Sequence, residues 1–196
     1  MKRIFDLFFS SIGLILLSPL LLIIAIGIVI ESKGGIFYRQ ERIGKDEIPF
    51  SLYKFRSMRP DSDKKGLLTV GSRDNRITKM GYYIRKFKLD ELPQLINVVL
   101  GDMSLVGPRP EVKKYTDIYT TAQKKVLSVK PGITDWASLE YFEESDLLSK
   151  SADPEKTYIE EVMPAKLKIN EKYILNHNLV EDIKIILLTI KRIFIK

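Results

Sequence analysis

The sequence predicts a mainly α-helical protein with one small β-hairpin, attached to a membrane by an apolar N-terminal helix and an amphipathic C-terminal one. Three observations carry this expectation. Ile4 to Ile30 is an almost unbroken apolar run. Ile36 to Phe55 contains two short strand-like runs around Gly44-Lys45-Asp46-Glu47. Leu179 to Lys196 repeats apolar residues at helical spacing among lysines and an arginine. The chain has 196 residues, 45% hydrophobic and 29% charged, which suits one domain and excludes both a disordered tail and a polytopic membrane protein.

The N-terminal run holds a single acid, Asp6. It is preceded by Lys2 and Arg3 and followed by Glu31, Lys33, Arg39 and Arg42. As one straight helix it would span roughly 40 Å, against ~30 Å of hydrocarbon. It is too long for the apolar core of a cleaved signal peptide and lacks a small-x-small site. Ser18-Pro19 lies in its middle, and proline removes a backbone donor and bends a helix. The flanking halves, Ile4–Leu17 and Leu20–Ile30, are each roughly 17–21 Å long and do not span a bilayer alone. Two readings stand: one kinked spanning helix, or a re-entrant hairpin with both ends on the cytoplasmic face. Basic residues at both ends suit the second. Ser18 is placed to bond a carbonyl freed by Pro19.

Beyond Gly34-Gly35, Ile36–Gln40 and Ile48–Phe55 read as the two strands of the hairpin. Asp61–Arg76 is polar and reads as a loop. Tyr82–Lys88 and Glu91–Leu100 read as helices, with Pro93 tolerated in the first turn of the second and Gly101 closing it. Gly107-Pro108-Arg109-Pro110 is a stiff loop, Glu111–Leu127 a helix, and Lys130-Pro131-Gly132 a turn. Pro154–Asn176 is a long charged helix bent near Pro164. In the last segment Ile183, Ile186, Leu187, Ile190 and Phe194 share a face, with Lys184, Lys191, Arg192 and Lys196 beside it. Such a helix suits the membrane interface or a packing site on the domain. The expected organisation is a membrane helix over 1–32, a cytosolic domain over 33–178 and an interfacial helix over 179–196.

Composition narrows the chemistry. There is no cysteine and one histidine, His177, so thiolate metal sites, cysteine nucleophiles and histidine pairs are excluded. Carboxylates, lysines, arginines, tyrosines and hydroxyls remain. The net charge of +7 points to anionic partners. Asp90-Glu91 opens an expected short helix, where a phosphate is attracted and a divalent cation can be shared with it. An ordinary N-cap with a helix-start acid fits the same spacing. Lys54 and Arg56 fall on one strand face. Arg85 precedes Asp90 by one helical turn and a half. Arg109 is fixed between two prolines, which lowers the cost of aiming its guanidinium at a phosphate or carboxylate. Two acids inside a ring of cations oppose binding of a polyanion, so no nucleic acid is expected as a partner. Phosphoryl chemistry at a bilayer surface is the chemistry these residues suit.

The stretches YKFRSM (53–58), IRKFKLDELPQLINVVLGDMSLVGPRP (84–110) and VKPGIT (129–134) resemble the bacterial sugar-transferase family, and within it the small monotopic phosphoglycosyl transferases. The apolar run with Ser18-Pro19 is similar to that family's re-entrant helix. The resemblance implies transfer of a sugar-1-phosphate from a UDP-sugar to polyprenyl (undecaprenyl) phosphate at the bacterial inner membrane. It implies Mg²⁺ held by Asp90 and Glu91, UMP as product, and a catalytic domain facing the cytoplasm. It assigns Asp90 as the nucleophile that forms a covalent phosphosugar intermediate. It assigns Glu91 as metal ligand or proton handler. Lys54, Arg56, Arg85 and Arg109 are the expected cations around the diphosphate. After Thr134 the resemblance weakens. The family pattern continues with a Gly, then a Gln and a Gly-Arg, whereas this chain reads Asp135-Trp136-Ala137-Ser138-Leu139-Glu140-Tyr141-Phe142. Trp136 suits stacking on a base or sugar, a membrane interface or the core.

Overall fold

The computed structural model describes residues 1–60, 62, 66, 68–71 and 74–195. Asp61, Asp63–Lys65, Leu67, Ser72 and Arg73 of the expected loop, and Lys196 of the last helix, lie outside the described residues. Among the described residues the protein is mostly helical with two small two-stranded sheets.

Helix α1 runs over Lys2–Glu31 and carries Pro19 inside it. Helical structure therefore does not stop at Ser18-Pro19, as the reading in two halves supposed. Proline at this position deprives the Ile15 carbonyl of its donor four residues on. The Ser18 hydroxyl bonds that same carbonyl at 2.8 Å, so the ladder is repaired locally. Among the described residues α1 is the one helix long and apolar enough to cross a bilayer.

Both ends of α1 are docked on the same domain. At the start, Lys2 pairs with Asp182 at 2.5 Å and Arg3 donates to the carbonyls of Val98 and Val99. Asp6 is buried and accepts from the Ser104 hydroxyl at 2.9 Å and the Leu105 amide at 3.2 Å. At the other end Ile24 and Ile28 pack with Phe55 and Ile84. Glu31 accepts from the Lys79 and Met80 amides at 2.7 and 2.9 Å. Ile15, Leu16, Leu22, Ile23 and Ile30 remain exposed, an apolar surface unlike that of a water-soluble helix.

The hairpin forms as expected, with slightly different bounds. Strand β1, Phe37–Ile43, pairs antiparallel with β2, Pro49–Phe55, across a 3₁₀ turn at Lys45–Glu47. Helix α2 covers Lys79–Lys86 and is capped by Thr78, whose side chain accepts from the Gly81 amide. It ends before Lys88, which adopts the left-handed conformation (φ 55°). A single 3₁₀ turn, Leu89–Glu91, precedes α3, Gln94–Leu100. The expected helix over 91–100 thus starts later, and Asp90 and Glu91 occupy a separate turn. Gly101 closes α3 with φ 97°. Asn97 is buried on α3 and stitches it to β2, accepting from the Tyr53 amide and donating to the Ser51 carbonyl.

The second sheet is a parallel pair, β3 (Ser104–Val106) with β4 (Gly132–Thr134). The expected turn at Lys130–Gly132 runs directly into it. A Cβ on Gly132 would lie 2.1 Å from the Gly107 nitrogen, so only glycine permits this backbone approach. The expected helix over 111–127 is broken. It consists of α4, Lys113–Thr116, and a 3₁₀ stretch over Gln123–Ser128. Between them Thr120 and Gln123 form a reciprocal capping box, with Gln123 Oε1 accepting from the Thr120 amide at 2.9 Å. That box starts a new helical turn and ends the old one.

Two short helices follow, α5 (Trp136–Glu140) and α6 (Glu144–Ser149). The long helix over 154–176 is present as α7 (Pro154–Thr157), a π-turn at Tyr158–Val162 and α8 (Met163–Asn176). The irregular turn lies just before Pro164, where the missing N–H loosens the ladder. The main core sits here, where Tyr115, Tyr119, Val126 and Leu148 meet Tyr158, Val162, Met163 and Leu167. Helix α9, Leu179–Phe194, packs on the domain along one side. Ile185 is buried with Val106 and Tyr173, while Ile183, Leu187, Ile190 and Phe194 on the other side stay exposed.

Candidate active site

The site is assembled from three segments. Strand β2 delivers Lys54. The turn after α2 delivers Asp90 and Glu91. The loop after β3 delivers Arg109. Lys54 Nζ lies 2.8 Å from Glu91 Oε1. Arg109 grips the same carboxylate with both arms of its guanidinium, one to Oε1 and one to Oε2 at 3.2 Å. This fork-on-fork arrangement is the geometry for which an arginine is suited and a lysine is not.

Arg109 owes its direction to the parallel sheet. Pro108 and Pro110 flank it, and its own amide donates to Asp135 Oδ2 at 3.1 Å. Asp135 is fully buried, follows β4, and uses its other oxygen to cap α5 through the Ser138 amide at 2.6 Å. The ends of β3 and β4 are therefore tied together beside Arg109. Asp135 is a positioning residue that the sequence reading passed over. Its signal was the change from the family's Gly and its place before a short helix.

The two acids differ sharply. Burial pushes the Glu91 carboxyl up, but Arg109 and Lys54 outweigh it and hold it well below the usual carboxylate range. Asp90 is displaced upward, by burial first and by the neighbouring Glu91 charge second, with Lys54, Arg85 and Lys88 opposing. Among the described residues the Asp90 side chain has no hydrogen bond and no ion pair, and it is 5% exposed. Glu91 is committed; Asp90 is a desolvated carboxylate with its lone pairs free. Burial also lowers Lys54, with the Glu91 carboxylate opposing.

Arg85 donates to Thr69 Oγ1 at 3.1 Å while its charge acts on Asp90. Arg56 is not brought to the pair by any contact. Its guanidinium donates to the Ser32 carbonyl at 2.7 Å and the Lys33 carbonyl at 3.0 Å, and so caps the C-terminal end of α1. The reason is geometric: β2 ends at Phe55, so strand alternation no longer holds Arg56 on the face of Lys54. Trp136 is committed to α9, donating to Glu181 at 2.8 Å with Lys184 over its ring, which removes it as a stacking platform.

The profile of the family described as bacterial sugar transferase matches residues 1–196. The chain belongs to the bacterial sugar transferase family. Over its full length it is 35% identical to the UDP-glucose:undecaprenyl-phosphate glucose-1-phosphate transferase of Escherichia coli K12. Over 98% of its length it is 37% identical to the UDP-N-acetylgalactosamine-undecaprenyl-phosphate N-acetylgalactosaminephosphotransferase of Aeromonas hydrophila. It spans 40% and 43% of the length of those two relatives. An uncharacterized sugar transferase of Bacillus subtilis, EpsL, is 37% identical over the whole chain, which covers 88% of it. Within this bacterial sugar transferase, Asp90, Glu91, Lys54 and Arg109 are the residues that the fold gathers, with the charge of Arg85 close by.

Among the described residues no three carboxylates or histidines cluster as a metal cage. A cation that keeps several waters and shares substrate phosphate needs only one or two carboxylates. Both Glu91 oxygens are engaged by Lys54 and Arg109, so Asp90 is the carboxylate of the pair that is open to Mg²⁺, and the pair fits no metal that requires nitrogen or sulfur ligands.

Proposed function

We propose that this protein transfers a sugar-1-phosphate from a UDP-sugar to polyprenyl phosphate through a phosphosugar carried on Asp90. The supporting observation is the contrast between the two acids: a free, buried carboxylate beside one locked by two cations. In the first step an Asp90 oxygen attacks the β-phosphorus of the UDP-sugar. The bond from that phosphorus to the bridging oxygen breaks, and UMP departs with the bridging oxygen and its electron pair. In the second step a phosphate oxygen of the lipid attacks the same phosphorus, the bond to Asp90 breaks, and polyprenyl-diphospho-sugar is formed with the carboxylate restored. Splitting the transfer in two is the usual advantage of a covalent nucleophile.

Glu91 holds Lys54 and Arg109 in place before substrate arrives. Incoming phosphate oxygens offer these cations a second anion, and charge neutralisation supplies most of the catalysis in phosphoryl transfer. Asp90 would hold Mg²⁺, joined by Glu91 once substrate phosphate draws Lys54 and Arg109 from it, and the ion when bound would neutralise diphosphate charge. The relatives' names, glucose in one and N-acetylgalactosamine in another, leave the sugar to experiment. Purified protein is expected to release at most one UMP per active site from one member of a UDP-sugar panel, and further UMP only when polyprenyl phosphate is present. Continued UMP release without the lipid would make it a hydrolase instead.

The placement of α1 supports a monotopic arrangement at the inner membrane, with both ends of the helix and the domain on the cytoplasmic side. Residues near both termini of α1 touch one domain, which favours a helix with both ends on one face of the bilayer. Cysteines are absent, so a cysteine inserted after Met1 and Lys33→Cys are clean reporters. Both are expected to resist an impermeant maleimide in intact cells and to react after permeabilisation. Labelling of one alone in intact cells would establish a spanning helix.

A further inference from the structure

Helix α9 meets the catalytic turn at one aromatic ring. Lys88 Nζ lies 5.1 Å from the centre of the Phe142 ring, and Arg192 Cζ lies 5.5 Å from the same centre. The two come from distant parts of the chain. Lys88 is two residues before Asp90, and its carbonyl accepts from the Glu91 amide at 3.2 Å. Arg192 belongs to the last turn of α9. Phe142 ends the segment in which this chain departs from its family pattern.

Two positive charges drawn to one ring repel each other, and cation–π attraction at partly exposed sites is modest. Neither has an ion pair among the described residues. Lys54 and Arg109 are paired with Glu91, Arg85 donates to the Thr69 hydroxyl, and Arg56, away from the acid pair, donates to the Ser32 and Lys33 carbonyls. Lys88 and Arg192 are thus a pair of cations still open to an anion.

Their position selects the anion. On α9, Arg192 is on the side of Ile185 and Thr189, which face the domain, whereas Leu187, Ile190 and Phe194 form the exposed apolar side. The Phe142 ring thus joins Lys88, two residues before Asp90, to a helix whose opposite side is an apolar surface suited to acyl or prenyl chains. A soluble diphosphate has no need of that surface. A phosphate monoester on a long apolar tail needs both.

We infer that Lys88 and Arg192, gathered by Phe142, bind the phosphate head group of the lipid acceptor and hold it for transfer at Asp90. This rests on the function proposed above and adds the residues that receive the lipid substrate. Phe142 touches neither substrate in this scheme and acts as a positioning residue.

The experiment separates the two half-reactions in full-length protein in nanodiscs. Adduct formation is followed by mass spectrometry with UDP-sugar alone, and adduct decay is then followed against polyprenyl phosphate concentration. Arg192→Gln is expected to form adduct at the wild-type rate. Its KM for polyprenyl phosphate should rise about tenfold or more, the loss of one charge-assisted contact. Arg192→Lys should recover most of the loss. Phe142→Leu should raise the same KM through misplacement of both cations. Inorganic phosphate added as a free competitor should slow adduct decay only weakly, because it lacks the tail; competition as strong as that of the lipid would make this a site for free phosphate and overturn the inference. An unchanged acceptor KM in Arg192→Gln, with its fold confirmed by thermal midpoint, would overturn it as well. So would slower adduct formation in that variant, which would assign Arg192 to the donor. Wild-type protein that forms no adduct would defeat the proposed function, and this inference with it.

Discussion

Asp90→Asn is expected to lose at least ~10³-fold in turnover, about 4 kcal/mol of barrier, because an amide is a far poorer nucleophile than a carboxylate. The substitution keeps the size of the side chain. Asp90 makes no side-chain hydrogen bond or ion pair among the described residues, so none is lost and the fold should be retained. Incubation of the wild-type protein with UDP-sugar alone should give a sugar-phosphate adduct on the peptide containing Asp90, and the variant should give none. Glu91→Gln is expected to be impaired for a different reason. It removes the charge that Lys54 and Arg109 share and leaves two cations poorly compensated. An Asn variant that still releases UMP near the wild-type rate would rule out covalent transfer through Asp90 and point to direct attack by the lipid phosphate.

The second large effect is expected far from the chemistry. Asp6→Ala should lower stability by about 2–4 kcal/mol, since it removes two hydrogen bonds to a buried carboxylate: the Leu105 amide loses its acceptor, and the Ser104 hydroxyl keeps only the Val106 carbonyl at 3.0 Å. For a domain of this size that is roughly 5–15 °C in the thermal midpoint. Asp6→Asn keeps one acceptor oxygen and should recover part of the loss. Thermal scans at one fixed rate in the same detergent make the comparison. Proteolysis should also release the α1 segment more readily from the Ala variant. A midpoint equal to the wild type would mean that α1 is held by its apolar contacts at Ile24 and Ile28 alone. Asp6 explains its own presence in an apolar run: it ties the membrane helix to β3, next to the sheet that aims Arg109.

What the sequence determined by itself was local. The apolar run, the hairpin, the closing of α3 at Gly101, and the repair of Ile15 by Ser18 all follow from neighbours within a few residues. Asp90, Glu91, Lys54 and Arg109 were legible as candidates, because two adjacent acids and a Pro-Arg-Pro frame are unusual on their face. The tertiary structure decided which of them work together. Pairing β3 with β4 joins three-residue strands far apart in sequence, and no local propensity forecasts it. That pairing brings buried Asp135 under the Arg109 amide. The same long-range geometry sends Arg56 to the end of α1 instead of the acid pair. It gives Trp136 to α9 and gathers Lys88 with Arg192 on Phe142. The break at Thr120-Gln123 also escaped the apolar pattern, because a capping box of two side chains outweighs helical periodicity over so short a stretch. The physical reason is common to all of these. Residue type and spacing fix what a side chain can do, but the partner that satisfies a buried charge or donor is chosen by packing.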